Sequence, residues 1–237
     1  MEERMSHYNK EMSKPLNIVL FKQAVTYCCM INRIIKLSNG HALLVGEGGS
    51  GRHSLTMIAS YLAKYETYQI QIQKNYNSNS FKKNMKDLFE HIAMQDVPTT
   101  FIFSDNEIIS EGIVEDVNNI LSLGEIPNLF IKKEGKDDFA NIRDHLRKFV
   151  PKDNDEFIYD HFLGMIQSNL HVVFCISQSG TNLSKLGRQY PALINNTTCI
   201  WFDDWPSEAL REVAFKYLED IELEDDECRD SMAGYFE

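Results

Sequence analysis

The sequence lacks the features that place a protein in a membrane or outside the cell. No window approaches the run of about 18 apolar residues that a membrane-spanning helix needs. The first fifteen residues, MEERMSHYNKEMSKP, contain no apolar stretch and therefore do not resemble a signal peptide. We interpret residues 1–15 as a polar leader and expect a soluble intracellular protein without a membrane partner.

Cysteines and histidines are few, and neither type forms a recognisable pattern. An odd number of cysteines, two of them adjacent and none in Cys-x-x-Cys spacing, predicts buried free thiols in a reducing compartment. The seven histidines show no His-Glu-x-x-His or comparable spacing, so we predict no zinc site. The cysteines are Cys28, Cys29, Cys175, Cys199 and Cys228.

Positive charge is also in deficit, with 24 Lys and Arg against 35 Asp and Glu and a net charge of −11. A surface of that charge repels a phosphate backbone, which argues against nucleic-acid binding. Eight of the acidic residues lie between Glu219 and Asp230, where there is one Arg. We interpret that run as a solvated helix end or a frayed tail rather than a docking site.

The sequence does contain an alternation of strand and helix patterns, in a chain of 237 residues that is long enough to bury a sizeable core. Five such alternations predict a parallel sheet with helices on both faces, a three-layer α/β fold. The predicted strands are HALLVG, TYQIQI, PTTFIFSD, NLHVVFCIS and NTTCIWF. Helices are predicted over about residues 21–37, 111–121, 137–149 and 155–168, and in GSGRHSLTMIASYLAKY, SNSFKKNMKDLFEHIAM (with Ser78 or Ser80 as N-cap), TNLSKLGRQY and WPSEALREVAFKYLED.

The segment LLVGEGGSGRHS follows the first strand and opens a helix. It matches the Gly-x-x-x-x-Gly of a phosphate-binding loop, in which small residues let backbone N–H groups surround a phosphate at the positive end of a helix. A glycine-rich turn between a strand and a helix also occurs for geometric reasons alone, so both interpretations stay open here. The loop residues are Gly46, Glu47, Gly48, Gly49, Ser50 and Gly51.

Arg52 and His53 stand where phosphate loops carry Lys and then Ser or Thr. Arg52 keeps the positive charge and can fork onto phosphate oxygens, although Arg and Lys are not interchangeable at a tight site. His53 replaces the hydroxyl that binds Mg²⁺, and an imidazole is a poor ligand for that hard cation. Ser54 is the nearest hydroxyl that can take its place, and His53 is then a surface helix residue without a role.

A second signal is FIFSD, an apolar strand that ends in Asp105. P-loop proteins place the carboxylate that holds Mg²⁺ at this position, and many ATPases follow it with a Glu that activates the attacking water. Asn106 follows here instead, and Glu107 comes one place later. Together the loop and the Asp predict nucleotide binding, although a strand ending in Asp alone mostly marks the start of a loop.

Other P-loop classes fit less well. A GTPase would need an Asn-Lys-x-Asp motif, which is absent, and a small-molecule kinase would need an Arg-rich lid, where residues 131–138 read IKKEGKDD. The helical insertion between the third and fourth strands is typical of an AAA+ ATPase module. We therefore predict a P-loop NTPase fold of the AAA+ type with a five-stranded parallel sheet.

The resemblance becomes specific in segments that run in order from Pro15 to about Glu219. The most specific are the turn GEIPNLF and the segment RQYPALIN. With these, the chain resembles the fourth AAA+ module of a dynein heavy chain of the axonemal type, whose members share Arg in place of the loop Lys. His53 departs from the Gln expected there. The other segments are PLNIVLF, HALLVGEGGSGRHSLTMIASYLA, IQIQKNYNSNSFKKNMKDLF, PTTFIFSDNEI, VEDVNNILSL and NLHVVFCISQSGTNLSKLG, with TTCIWFDDWPSEAL after the RQYPALIN segment.

The resemblance implies a ring of six AAA+ modules that converts ATP hydrolysis into minus-end-directed stepping along microtubules. The first module carries most of the hydrolysis, and this one is regulatory. It also implies that the chain is a fragment, with residues 16–219 as the large α/β subdomain and 220–237 as the acidic start of a missing C-terminal part. The implied partners are neighbouring modules of the same heavy chain, with intermediate chains, light chains and microtubules contacted through other parts. The implied location is the cytoplasmic cytoskeleton and the axoneme of the cilium or flagellum.

The resemblance also implies roles for residues outside the loop. Val19, with Ile18 and Leu20, corresponds to the segment that packs on adenine, and the alternative is an ordinary core position. Ser177 follows the fourth strand at the polar sensor position. Arg188 lies where AAA+ modules place an arginine finger toward the nucleotide of the preceding module. The alternative is a surface Arg at a helix C-terminus.

These features predict a module that binds ATP or ADP with Mg²⁺, held through Asp105 and Ser54, and that hydrolyses ATP weakly or not at all. Two displaced groups, the missing hydroxyl at position 53 and Glu107, weaken the hydrolytic side, because losing one transition-state contact costs roughly 10² to 10³ in rate. The alternative is a nucleotide-free spacer that transmits movement toward the microtubule-binding stalk. A freestanding NTPase is disfavoured, since the subdomain that closes the site is missing.

Overall fold

The computed structural model describes residues 1–11, 15–130, 132–133, 136–150, 154–178, 183–218, 221 and 231–234. The strands are β1 (Ala42–Gly46), β2 (Glu66–Gln69), β3 (Thr99–Ser104), β4 (Lys132–Lys133), β5 (Lys136–Asp137), β6 (Leu170–Ser177) and β7 (Thr198–Trp201). The helices are α1 (Glu2–Glu11), α2 (Lys22–Ile35), α3 (Arg52–Ala63), α4 (Ser78–Gln95), α5 (Glu111–Leu123), α6 (Ala140–Leu146), α7 (Asp155–Asn169), α8 (Leu183–Gln189), α9 (Ala192–Asn195) and α10 (Ser207–Leu218).

Five parallel strands form the sheet in the order β2-β3-β6-β1-β7, as the alternation of patterns predicted. The three central strands are apolar along most of their length, and all of β1 and β3 is buried. The register pairs Gly46 with Ser177 and Ser104 with Cys175. The carboxyl ends of β1, β3 and β6 therefore meet at one edge, where open α/β sheets bind their ligands.

Helices cover both faces of the sheet and form two separate cores, which confirms the three-layer α/β class. Leu44 faces a core built with α2, α3 and α10, while Leu43 faces one built with α4, α5, α6 and α7. Neighbouring residues of β1 point to opposite faces, because side chains alternate along a strand. Both faces are apolar, so β1 reads as a continuous hydrophobic run in the sequence.

Several local features differ from the sequence-based expectations. The predicted polar leader, residues 1–15, includes the helix α1, for which no prediction was made. Its Tyr8 is buried edge-to-face against Tyr61 with ring centroids 5.2 Å apart. The N-cap of α4 is neither Ser78 nor Ser80 but Asn77, because its side chain accepts the bond from the backbone N–H of Ser80. The antiparallel hairpin of β4 and β5 was not predicted, and the helix expected over residues 137–149 is the shorter α6.

The acidic run predicted as the start of a C-terminal part lies mostly outside the described residues. Residues 219–220, 222–230 and 235–237 are not described, whereas residues 231–234 form one helical turn. Within the described chain, no helix is long and apolar enough to cross a membrane. The described cysteines are free thiols, of which Cys28 and Cys175 are buried, while Cys29 and Cys199 are exposed, contrary to the expectation of burial.

Candidate nucleotide-binding site

The phosphate loop joins β1 to α3 at the carboxyl edge of the sheet. Gly49 (φ 87°) and Gly51 (φ 86°) adopt the left-handed conformation that favours glycine, and Gly51 is the N-cap of α3. A Cβ on Gly46 would lie 2.7 Å from the Cβ of Phe202, so the chain leaves the strand in close contact with the segment after β7. The strand, loop and helix therefore have the arrangement that the glycine pattern predicted.

Arg52 bonds to backbone carbonyls on both sides of this loop. Its Nη1 donates to the carbonyl of Ile176 at the end of β6, and its Nη2 donates to the carbonyl of Glu47 at 3.1 Å. The side chain is half-buried, whereas Glu47 is exposed. The predicted phosphate-binding cation thus lies at the loop, with its guanidinium bonded to the protein's own backbone.

Asp105 connects β3 to β6. Its Oδ2 accepts a hydrogen bond of 2.8 Å from the backbone N–H of Ser177. Asp105 is also close enough to His53 to oppose, by its negative charge, a lowering of the His53 pKa that comes first from burial and then from Arg52. His53 is therefore neutral at pH 7, next to the carboxylate predicted to hold Mg²⁺.

Glu107 turns back onto the end of β3. Its Oε2 accepts from the backbone N–H of Ser104 at 2.6 Å and from the Ser104 hydroxyl at 3.3 Å, which closes a capping box over the turn Asp105–Glu107. Burial raises its pKa, and the two bonds from Ser104 oppose that rise. The geometry gives Glu107 a capping role, and its part in activating water stays a prediction.

Two cavities adjoin the loop and share Gly49, Ser50 and Trp205. One of about 190 Å³ lies between the loop, the segment before α2 and α10, and the other of about 340 Å³ lies beside the residues that follow β7. The Ser50 hydroxyl is buried without a hydrogen-bond partner among the described residues. The first cavity is lined by Asn17, Ile18, Val19, Phe21, Ala24, Gly49, Ser50, Gly51, Ser54, Leu55, Trp205, Val213 and Tyr217. The second is lined by Glu47, Gly48, Gly49, Ser50, Phe202, Asp203, Asp204, Trp205 and Leu210.

The smaller cavity brings Val19 and Ile18 to the loop, but Leu20 does not line it. The helix α10 forms one of its walls, since Lys216 Nζ donates to the carbonyl of Ile18 at 3.1 Å and the Tyr217 hydroxyl donates to that of Asn17 at 3.5 Å.

A larger cavity of about 770 Å³ lies elsewhere, between α1 and α3. We place the candidate site at the loop because glycine turns, a helix N-terminus and charged groups converge there. Arg52 and Asp105 are among those charged groups, and neither of them lines the two cavities at the loop.

The two remaining predicted residues are Ser177, in β6, and Arg188, in the helix α8 that follows it. Ser177 is the last residue of β6, paired in register with Gly46. Arg188 lies in the last turn of α8 and is exposed, which fits both an outward-reaching finger and a charge at a helix C-terminus. Sequence reasoning missed Trp205, Val213 and Tyr217 as cavity-lining residues, and the only signal for them was an apolar helix after the last strand.

Comparison with known proteins identifies the family. The family model described as the P-loop containing dynein motor region D4 matches residues 16–236. Dynein axonemal heavy chain 1 of Rattus norvegicus is 38% identical over 225 residues, which cover 94% of this chain and 5% of that protein. The Dynein-1-beta heavy chain, flagellar inner arm I1 complex, of Chlamydomonas reinhardtii is 37% identical over 241 residues, covering 100% of this chain and 5% of that protein.

A solved structure, Cdc6p from Pyrobaculum aerophilum, is similar over 85% of this chain and 50% of its own, with 11% identity and a TM-score of 0.48, which is too low to support an argument. The chain spans about 5% of the length of the curated relatives it matches. The family match and the identities confirm the resemblance read from the GEIPNLF and RQYPALIN segments. The chain belongs to the dynein heavy chains of the axonemal type, as the fourth AAA+ module, region D4, of the motor.

Proposed function

We propose that this module binds ATP or ADP as a regulatory site within a dynein motor and hydrolyses ATP weakly or not at all. The observation that carries the proposal is the cavity in which Val19, the glycine loop and α10 surround one space. An adenine between Val19 and Val213 would leave its phosphates at the loop and the N-terminus of α3, where anions are stabilised. The buried, unpartnered hydroxyl of Ser50 supplies a hydrogen-bonding group at the point where the two cavities meet.

The residues present also fit a hydrated Mg²⁺. Asp105 offers a carboxylate and Ser54 a hydroxyl, and both are the oxygen ligands that Mg²⁺ prefers. Bound there, the ion would neutralise charge on the phosphates. The imidazole of His53 is a poor ligand for this hard ion, and the carboxylate of Glu107 is bonded to Ser104. These two features favour binding over turnover.

The relatives support the proposed role in a motor. They are axonemal dynein heavy chains about twenty times longer than this chain, since the matched region is 5% of each. We assign this module to a ring of AAA+ modules that drives minus-end-directed movement along microtubules in the axoneme. Other parts of the heavy chain would contact microtubules, intermediate chains and light chains. Arg188, exposed on α8, would reach toward the nucleotide of the preceding module.

A second candidate function is a nucleotide-free spacer that transmits movement toward the stalk. It is favoured by one observation: Arg52, Asp105 and Glu107 each bond to the module's own backbone. In that case the glycine loop would serve only as the turn between β1 and α3. The spacer and the regulatory site differ in one measurable property, the affinity for nucleotide.

Calorimetric titration with ATP and ADP, each with Mg²⁺ and with EDTA, separates the two candidates. We expect micromolar affinity that Val19→Trp abolishes, because an indole there fills a cavity of about 190 Å³. Leu20→Trp is the matched control, since Leu20 lies on the same segment but does not line the cavity. No binding by the parent up to millimolar concentration would favour the spacer. Equal binding by the two variants would contradict the spacer and would show that the nucleotide does not occupy the cavity lined by Val19.

A further inference from the structure

The carboxyl end of β6 is hydrogen-bonded to Arg52 and Asp105, the two residues that the sequence predicts to bind the phosphates and Mg²⁺. The carbonyl of Ile176 accepts from Arg52, and the N–H of the next residue, Ser177, donates to Asp105 at 2.8 Å. One residue further, the N–H of Gln178 donates to the carbonyl of Gly46 at 3.4 Å. The carboxyl end of β6 is thereby connected both to the phosphate loop and to the residue that follows β3.

Arg52 makes the connection to the loop through two different nitrogens. Nη1 reaches Ile176 in β6 and Nη2 reaches Glu47 in the loop, so one planar guanidinium spans two chain segments that are 124 and 5 residues away in sequence. A charged donor to a carbonyl makes a stronger bond than a neutral one. A phosphate bound in the loop would attract the same guanidinium, because Arg forks onto phosphate oxygens.

We propose that Arg52 is a latch: a positioning residue that holds the phosphate loop against the end of β6 and that bound phosphate draws away from the Ile176 carbonyl. This inference rests on the proposed nucleotide site. Binding then has an internal competitor, and the affinity for nucleotide is reduced by the fraction of molecules in which the latch is closed. Occupancy of the loop is coupled to β6, the strand that leads toward α8 and Arg188.

Arg52→Lys tests the latch, because a Lys ammonium keeps the charge but has one nitrogen, whereas Arg52 uses two nitrogens to reach Ile176 and Glu47. Without nucleotide, we expect the variant to melt about 3 °C lower than the parent. With Mg²⁺-ATP, we expect affinity about tenfold tighter, since less of the binding free energy is spent on opening the latch. A residue with only a structural role would lower both stability and affinity, so the opposite signs are diagnostic.

Arg33→Lys is the matched control, because Arg33 lies on the exposed side of α2 and should change neither quantity. If Arg52→Lys binds ATP as weakly as the parent or more weakly, the latch is wrong while the nucleotide site stands. If neither protein binds ATP or ADP up to millimolar concentration, both the latch and the proposed site fail. Tighter binding by a less stable Arg52→Lys supports the latch.

Discussion

The strands β1 and β6 are paired along their length, and different kinds of side chain hydrogen-bond to the backbone at their two ends. At the carboxyl end, the charged side chains of Arg52 and Asp105 bond to the backbone of β6. At the amino end, two histidines bond across the pair, one just before β1 and one in β6. His41 Nδ1 accepts from the N–H of Val172, and His171 Nδ1 donates to the carbonyl of Gly40, both at 3.0 Å. His41 is 8% exposed and His171 is 2% exposed.

If the proposed site is correct, the carboxyl end responds to a bound ligand, whereas the amino end responds to protons. Arg52 and Asp105 at the carboxyl end are half-buried, and the phosphate loop next to Arg52 lines a cavity. A phosphate bound in the loop, or a cation bound by Asp105, would compete for these charges. The histidines are sealed, and burial lowers the pKa of His41 to about 4, with the nearby His171 adding to the effect. Burial also lowers the pKa of His171, although its bond to Gly40 opposes this. Both imidazoles are neutral at pH 7 and act as hydrogen-bonding groups without charge.

The largest expected effect is a loss of folding stability from a substitution at Gly40, at the amino end. A Cβ on Gly40 would lie 1.9 Å from the carbonyl oxygen of Ile34 and 2.8 Å from that of Leu37, and both are backbone atoms. We expect Gly40→Ala to lower the free energy of unfolding by about 4 kcal/mol, as measured by urea denaturation. Gly48→Ala is the control at the carboxyl end, because a Cβ there meets no atom within 4 Å. Equal stability of the two variants would contradict the packing described at Gly40.

The second-largest expected effect is a loss of folding stability at low pH, caused by His41 at the amino end. The pKa of His41 is lowered from its ordinary value of 6.5 to about 4 in the fold, so the unfolded chain binds the proton more tightly. Stability contributed by neutral His41 is therefore complete above about pH 6.5 and is lost as the pH falls toward 4. The shift corresponds to about 3 kcal/mol of unfolding free energy over that range.

Urea denaturation at a series of pH values between 7 and 4 measures this loss. His41→Asn keeps a side-chain acceptor for Val172 but does not titrate, so its stability should depend less on pH by about that amount. His7→Asn, in the exposed part of α1, should leave the pH dependence as it is in the parent. An unchanged slope in His41→Asn would show that other groups cause the acid sensitivity.

The smallest expected effect is at the carboxyl end and concerns binding rather than stability. Asp105→Asn keeps an oxygen that accepts from Ser177, so we expect the unfolding free energy to change by less than about 1 kcal/mol. It removes the negative charge offered to Mg²⁺, so affinity for ATP in Mg²⁺ should fall about tenfold, toward the value in EDTA. Unchanged Mg²⁺ dependence by calorimetry would remove Asp105 from the metal site.

Features set by local sequence were predictable, and features set by distant chain segments were not. The apolar runs of β1, β3 and β6 and the glycine loop appear in the sequence because burial on both faces and left-handed turns dictate residue type locally. Arg52 was predicted to bind phosphate, but its bond to Ile176 depends on a carbonyl 124 residues away. The bond between His171 and Gly40, 131 residues apart, left no local pattern either.

Short polar elements were missed for a different reason. The helix α1 buries only one side chain, Tyr8, so its sequence shows almost no apolar periodicity. Asn77 was overlooked as a cap because two serines stand within three residues of it and satisfy the same preference. The cavity wall formed by α10 could not be assigned from sequence, since its face toward Asn17 is determined by contacts about 200 residues apart.

The bonds from α10 to residues 17 and 18 also have a mechanical meaning. Lys216 and Tyr217 bond to the carbonyls of Ile18 and Asn17, so α10 and this segment are joined where both line the smaller cavity. A force that pulls α10 away from this segment must widen that space before it deforms the sheet. Tension on the module would therefore alter the fit of a molecule bound in the cavity, and we expect load to change how often the cavity is occupied.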